Sequence, residues 1–149
     1  DGSTWCTRQN ECFDAILLDA PCSSERHVIA DPKYLDQWSP NRIKTVSMEQ
    51  WSLLSSAYRL LRKGGYLLYS TCALAPQEND EMIERLVKKF KKDGNDSFEF
   101  IEPKPELSQI SKCADLVLSE YEKTKYGYQI LPDTSNGAGP IYFSLIKKR

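Results

Sequence analysis

Two cysteines stand where predicted strands run out: Cys22, in Leu18-Asp19-Ala20-Pro21-Cys22, and Cys72, in Tyr69-Ser70-Thr71-Cys72. In an open α/β sheet the carboxyl ends of the strands line the crevice that holds ligands, so two thiols and the Asp19 carboxylate are expected to face one substrate. That is the layout of a reaction centre. A thiol pair can act as a nucleophile with an assistant or as a redox couple, and redox couples are usually written C-x-x-C with a depressed pKa. Here the two cysteines stand 50 positions apart, so the redox reading is the weaker one. Cys6, Cys12 and Cys113 are expected to be core residues, the common fate of a lone cysteine.

The elements that must position these groups follow from the pattern of apolar residues. Phe13 to Leu18 is a short apolar run that reads as a buried strand delivering Asp19 to a loop. Ser39-Pro40 is a helix start, an N-cap followed by proline at the first helical position, and Ile43, Val46, Leu54, Ala57, Tyr58 and Leu61 recur at helical spacing after it. Gly64-Gly65 is expected to end that helix. Tyr66 to Ser70 reads as a second buried strand, and the strand, helix, strand order implies a right-handed parallel crossover that brings Cys22 and Cys72 to the same sheet edge. Met82, Ile83, Leu86, Val87 and Phe90 form one apolar stripe of a covering helix. The lysines of its last turn suit the helix dipole and a solvated face. Further strands are expected at Phe98 to Ile101, Tyr126 to Leu131 and Ile141 to Ile146, with a turn from Asp93 to Ser97, a polar, weakly helical excursion from Pro103 to Glu122, and a turn at Asp133 to Pro140.

Composition bounds the function. The chain has 149 residues, 40% apolar and 28% charged, enough for one domain with its own core. No apolar run approaches the ~18 residues of a membrane span, and no targeting leader is visible. One histidine, His27, and no C-x-x-C argue against a metal site. Unpaired thiols point to a reducing compartment. The net charge of −1 gives no general footprint for nucleic acid, so any grip on RNA must be local, sit on missing residues, or come from a protein partner. Trp38 and Trp51 are expected to be packing residues, and His27 a loop surface residue.

The segments Phe13 to Ser23, Gly64 to Cys72 and Glu78-Asn79 resemble the Nop/Sun family of S-adenosylmethionine-dependent RNA cytosine-5 methyltransferases, whose paired signature is a Pro-Cys after one strand and a Thr-Cys after the next. The resemblance implies the carboxyl-terminal half of a class I methyltransferase fold, a Rossmann-like doubly wound α/β sheet, with residues 1–149 forming a single partial catalytic domain. The Gly-rich cofactor loop of such folds does not precede Asp14, so the amino-terminal half is expected to be missing and the chain alone inactive. It further implies that Cys72 attacks carbon 6 of cytosine, making carbon 5 nucleophilic toward the sulfonium methyl, and that Cys22 assists release of the product. Asp19 would hydrogen-bond ring nitrogen 3 as a protonated acid, favoured by burial, and also meet the cofactor. Asp1-Gly2 falls where related chains contact the adenosyl group. Pro21 would pack against the base, and Ser23 and Arg26 would reach phosphate or ribose. Ser23 to His27 and Gly139 to Phe143 are closest to the mitochondrial branch, which favours mitochondrial rRNA or tRNA as substrate. A non-catalytic fragment that serves as a binding or assembly module is the alternative.

Overall fold

The computed structural model describes residues 1–91, 97–103 and 121–149. Cys113 and the expected turn and polar excursion after Lys91 and Pro103 fall largely outside them. The described chain runs β1 (Phe13–Asp19), α1 (Glu25–Ala30), α2 (Pro40–Leu60), β2 (Leu61–Thr71), α3 (Asp80–Phe90), β3 (Phe98–Phe100), β4 (Glu122–Lys123), β5 (Tyr128–Ile130) and β6 (Ile141–Lys148). Short 3-10 turns occupy Trp5–Thr7, Pro32–Gln37 and Pro76–Glu78. The sheet order is β1-β2-β6-β5-β4, with β3 also paired to β6. β1 and β2 are parallel, as the crossover through α2 requires, and β6 returns antiparallel to β2.

Paired residues share a sheet face, and the register sorts them cleanly. Ile16 and Leu18 of β1 lie beside Leu67 and Tyr69 of β2, which lie beside Ile146 and Ser144 of β6. This is the core face, closed by Leu54, Ala57 and Tyr58 of α2 and Met82, Ile83 and Leu86 of α3. The other face carries Leu17, 71% exposed, and Tyr66. β1 is therefore not the fully buried strand that its apolar run suggests; its burial alternates because the described helices cover one face only.

α2 begins as its sequence predicts, with the Ser39 hydroxyl accepting from Arg42 N at 3.2 Å and Pro40 in the first turn. Its end differs from expectation. The helix stops at Leu60, four residues before Gly64. The stop comes from elsewhere in the chain: Lys148 Nζ donates to Leu61 O at 2.7 Å and Tyr58 O at 3.2 Å, and Cys12 N donates to Leu60 O at 2.8 Å. Helix-end carbonyls need such donors. The glycines serve the bulge at the start of β2, where Gly64 takes φ +79° and a Cβ on Gly65 would lie 2.8 Å from Asp14 O.

α3 presents the expected apolar stripe to the core. Asp80, in its first turn, accepts from Tyr126 N at 3.0 Å, Lys125 N at 3.0 Å and the Tyr142 hydroxyl at 2.9 Å, fastening the β4–β5 turn to the helix. Lys88 pairs with Glu84 at 3.1 Å on the solvated side.

Candidate active site

The two strand-end loops bring Cys22 Sγ and Cys72 Sγ to 2.9 Å, longer than the ~2.0 Å of a disulfide bond, with both thiols half-buried. Ser24 stands beside them. Its backbone is left-handed, φ +61°, and its hydroxyl does not cap α1. The oxygen lies 3.5 Å from Cys22 Sγ, 3.8 Å from Cys72 Sγ and 3.2 Å from Cys22 O. A non-glycine residue in that region costs about 1–3 kcal/mol, which the contacts around it must offset.

Two thiols in contact share protons. The hydrogen bond from Cys72 lowers Cys22 to about 5 against the opposing effect of burial, with the Ser24 hydroxyl adding to the lowering. Cys72, as donor of that bond, is pushed upward, and burial and the Cys22 charge push it the same way. In the resting geometry the pair thus gives up its first proton easily and its second with difficulty.

Beneath the thiols lies a buried polar network. Glu78, from the 3-10 turn, has no exposed surface; its Oε2 accepts from Ser23 N at 2.9 Å and Gln50 Nε2 at 2.8 Å, and its Oε1 contacts Ser23 Oγ. Gln50 Nε2 also donates to Pro21 O at 2.8 Å. Ser23 Oγ lies 2.6 Å from Glu25 Oε2, and Glu25 Oε1 accepts from Trp38 Nε1 at 3.1 Å. Burial raises the Glu78 carboxyl, as does the charge of Glu25, against the lowering effect of the Ser23 and Gln50 hydrogen bonds. Next to Glu78, the Asn79 amide accepts from Thr71 Oγ1 at 2.6 Å and donates to Ala73 O at 2.9 Å.

Several expectations need correction. Asp19 is exposed, not buried, and accepts from the Ser70 hydroxyl at 3.2 Å on the open sheet face. Ser23 is 4% exposed with its hydroxyl held between two carboxyls, so it anchors the loop and does not reach outward to phosphate or ribose. Trp38 is 38% exposed and a hydrogen-bond donor in the network, not a packing residue. Trp51 packs against the core under the Arg85 guanidinium, 4.3 Å from its ring. Cys6 and Cys12 are half-buried and lie outside the core cluster. Pro21 and Arg26 are exposed at the loop and on α1. Asp1 accepts from Ser3 N at 2.9 Å in a tight turn, and Gly2 lines an open apolar groove of about 270 Å³ with Trp5, Phe13, Ile16, Leu18 and Leu53. Gln50, Glu25, Ser24 and the roles of Glu78 and Asn79 had no signal in local patterning. Among the described residues no group of three His, Cys, Asp or Glu suits a metal ion, and no helix is long and apolar enough to cross a membrane.

Fold and thiol pair together define a class I, Rossmann-like methyltransferase fold. A methyltransferase homologue from Pyrococcus horikoshii superposes with a TM-score of 0.62 at 26% identity, over 93% of this chain and 40% of that one. NSun6 from the same organism, solved with SFG, superposes at 0.70 with 21% identity over 99% of this chain and 33% of its own. The chain belongs to the 16S rRNA methyltransferase RsmB/F family, whose model matches residues 1–146. Ribosomal RNA small subunit methyltransferase F of Escherichia coli O6:H1 is 34% identical over 166 aligned positions, covering 100% of this chain and 33% of that protein. The chain spans between 17% and 33% of the length of such curated relatives.

Proposed function

We propose that this chain carries the thiol-bearing half of an S-adenosylmethionine-dependent methyltransferase that acts on carbon 5 of a cytosine in ribosomal RNA. The observation that carries the reading is the 2.9 Å contact between Cys22 and Cys72 at adjacent strand ends. Family membership supports a methyltransferase of small-subunit rRNA. S-adenosylmethionine, when bound, supplies an electrophilic methyl. Asp1, Asp19 and Gly2 are suited to its adenosyl end, the carboxylates as acceptors and the glycine on the wall of an apolar groove where a Cβ would lie 3.3 Å from Leu53.

The chain's own residues then divide the work. Cys72 adds to carbon 6 as its proton passes to Cys22, 2.9 Å away, or to solvent where that thiol is removed. Asp19, as the acid, donates to ring nitrogen 3; after methylation the carbon 5 proton leaves to solvent, the Cys72–carbon 6 bond breaks, and Cys72 takes back the proton that Cys22 carries. The base must be unstacked, because carbon 6 is approached from above the ring plane. Exposed Arg26 and Pro21 are the contacts this loop offers RNA.

The test is a denaturing gel of the full-length protein with its RNA. Cys22→Ala is expected to accumulate a covalent protein–RNA band, and Cys72→Ala to show neither band nor methylation. A band with Cys72→Ala and none with Cys22→Ala would exchange the two roles. No band in either variant, with no cofactor binding in calorimetry, would favour a binding or assembly module. The 149-residue chain by itself is expected not to methylate RNA. A mitochondrial location rests on the Ser23–His27 and Gly139–Phe143 resemblance, and fractionation of cells that express the tagged protein tests it.

A further inference from the structure

Consecutive side chains, Glu78 and Asn79, hold the residues on either side of each cysteine. Asn79 accepts from Thr71 Oγ1 and donates to Ala73 O, the residues flanking Cys72. Glu78 accepts from Ser23 N directly and reaches Pro21 O through Gln50 Nε2, the residues flanking Cys22. The Gln50 amide cannot turn over, since its nitrogen faces two acceptors and the flip would set oxygen against oxygen.

Counting protons fixes the state of this grip. Ser23 Oγ contacts Glu78 Oε1 and Glu25 Oε2, two carboxyl oxygens, yet it carries one hydrogen. The second contact needs a proton from a carboxyl. Glu78, with no exposed surface, is the costlier place for a charge, so it holds the proton and donates to Ser23 Oγ, which donates to Glu25. Its other oxygen remains the acceptor for Ser23 N and Gln50. Glu25 also accepts from Trp38 Nε1 and Leu74 N. The titratable groups around Glu78 are Glu25 on α1 and Tyr69 on β2, whose hydroxyl donates to Glu78 O at 2.7 Å; His27 and Arg42 line the small cavity beside Ser23.

We propose that Glu78 and Asn79 are a paired positioning device for the two thiols, Glu78 acting as a neutral acid that shares one proton with Glu25 through Ser23 and sets Cys22, and Asn79 setting Cys72. The assignment of work between the thiols rests on the reading above; the positioning itself does not.

The test therefore uses neither RNA nor cofactor. Modification of each thiol by iodoacetamide is followed against pH and resolved by peptide mass, Cys22 in a Cys72→Ser background and Cys72 in a Cys22→Ser background, with Cys6 and Cys12 as internal references. Glu78→Ala is expected to move the Cys22 midpoint and change its rate on the order of fivefold, the factor one net hydrogen bond is worth, and to leave Cys72 in place. Asn79→Ala is expected to do the reverse. Glu78→Gln reproduces the donor and acceptor pattern of the neutral acid and is expected to restore the parent Cys22 profile. Equal effects of both alanine variants on both thiols, or no effect of either in proteins with unchanged circular dichroism, would overturn the proposal. A Gln variant that behaves like alanine would overturn the neutral acid. Loss of methylation with the thiol profiles as expected would leave the positioning intact and bear on the functional reading alone.

Discussion

Removing the Cys72 thiol tests the shared-proton description of the site directly. In the parent protein the bond from Cys72 is the largest cause holding Cys22 near about 5. Cys72→Ala deletes that donor and leaves Ser24 Oγ, at 3.5 Å, as the remaining stabiliser. The Cys22 midpoint is then expected to climb toward the ordinary ~8.5 of a thiol. At pH 7 this changes the thiolate fraction from about 99% to about 3%, roughly thirtyfold. A reaction rate at one pH hides the change, because a thiolate of lower pKa is a poorer nucleophile. With a Brønsted slope of ~0.45, a difference of ~3.5 pKa units slows it on the order of fortyfold, which nearly cancels the gain. The assay is therefore the full pH profile of mixed-disulfide formation on the Cys22 peptide, in which the midpoint and the plateau are separate.

The expected result is a midpoint that rises by several pH units with a higher plateau in Cys72→Ala, and a smaller rise in Cys72→Ser, whose hydroxyl still donates. Stability gives an independent check. A group whose folded pKa lies below its unfolded value contributes stability above the unfolded ~8.5 that is lost as pH falls through about 5. The parent should therefore lose more stability than Cys72→Ala between these limits as pH falls. A Cys22 midpoint that stays near 5 in Cys72→Ala would refute the reasoning and transfer the effect to Ser24.

Asp19→Asn is expected to lower turnover by ~10²–10⁴ at saturating cofactor and RNA, the range for a positioned acid; unchanged turnover would remove Asp19 from the mechanism. Lys148→Met leaves the carbonyls of Tyr58 and Leu61 without their ammonium donor and should cost about 1–3 kcal/mol, read as a lower urea midpoint at constant slope. Gly65→Ala drives a Cβ to 2.8 Å from Asp14 O and 3.0 Å from Arg62 O, and should destabilise by about 1–3 kcal/mol in the same assay; a neutral result would mean the bulge can shift.

What could be read from sequence was what local chemistry decides. The Ser39-Pro40 start of α2 is legible because cap and helix are neighbours in the chain. The two cysteines are legible because an apolar run followed by a turn marks a strand end. The stop of α2 is not, because the amine that satisfies its last carbonyls comes from Lys148, 87 residues beyond Leu61, whereas the nearby glycines give a louder and misleading signal. Local patterning carries no sign that Glu78 is buried, because α1, α2 and the Cys22 loop, which close over it, come from other parts of the chain. Asp19 reads as buried because an apolar strand precedes it, but alternation turns it to the open face.

That alternation assigns the end of β2 its several duties. Ser70 points to the open face and donates to Asp19; Thr71 points to the core face, is buried and donates to Asn79; Cys72 follows beyond the last ladder pair and meets Cys22. The anchors sit on the covered side, where water does not compete for their hydrogen bonds, while Asp19 stays accessible on the other. A slip of one residue between β1 and β2 would turn Thr71 outward and Ser70 inward, break the Asn79 grip and displace one thiol from the other. The core face prevents it, since the same slip would expose Leu67 and Tyr69. The register that buries the core is thus also the register that brings the two sulfurs together.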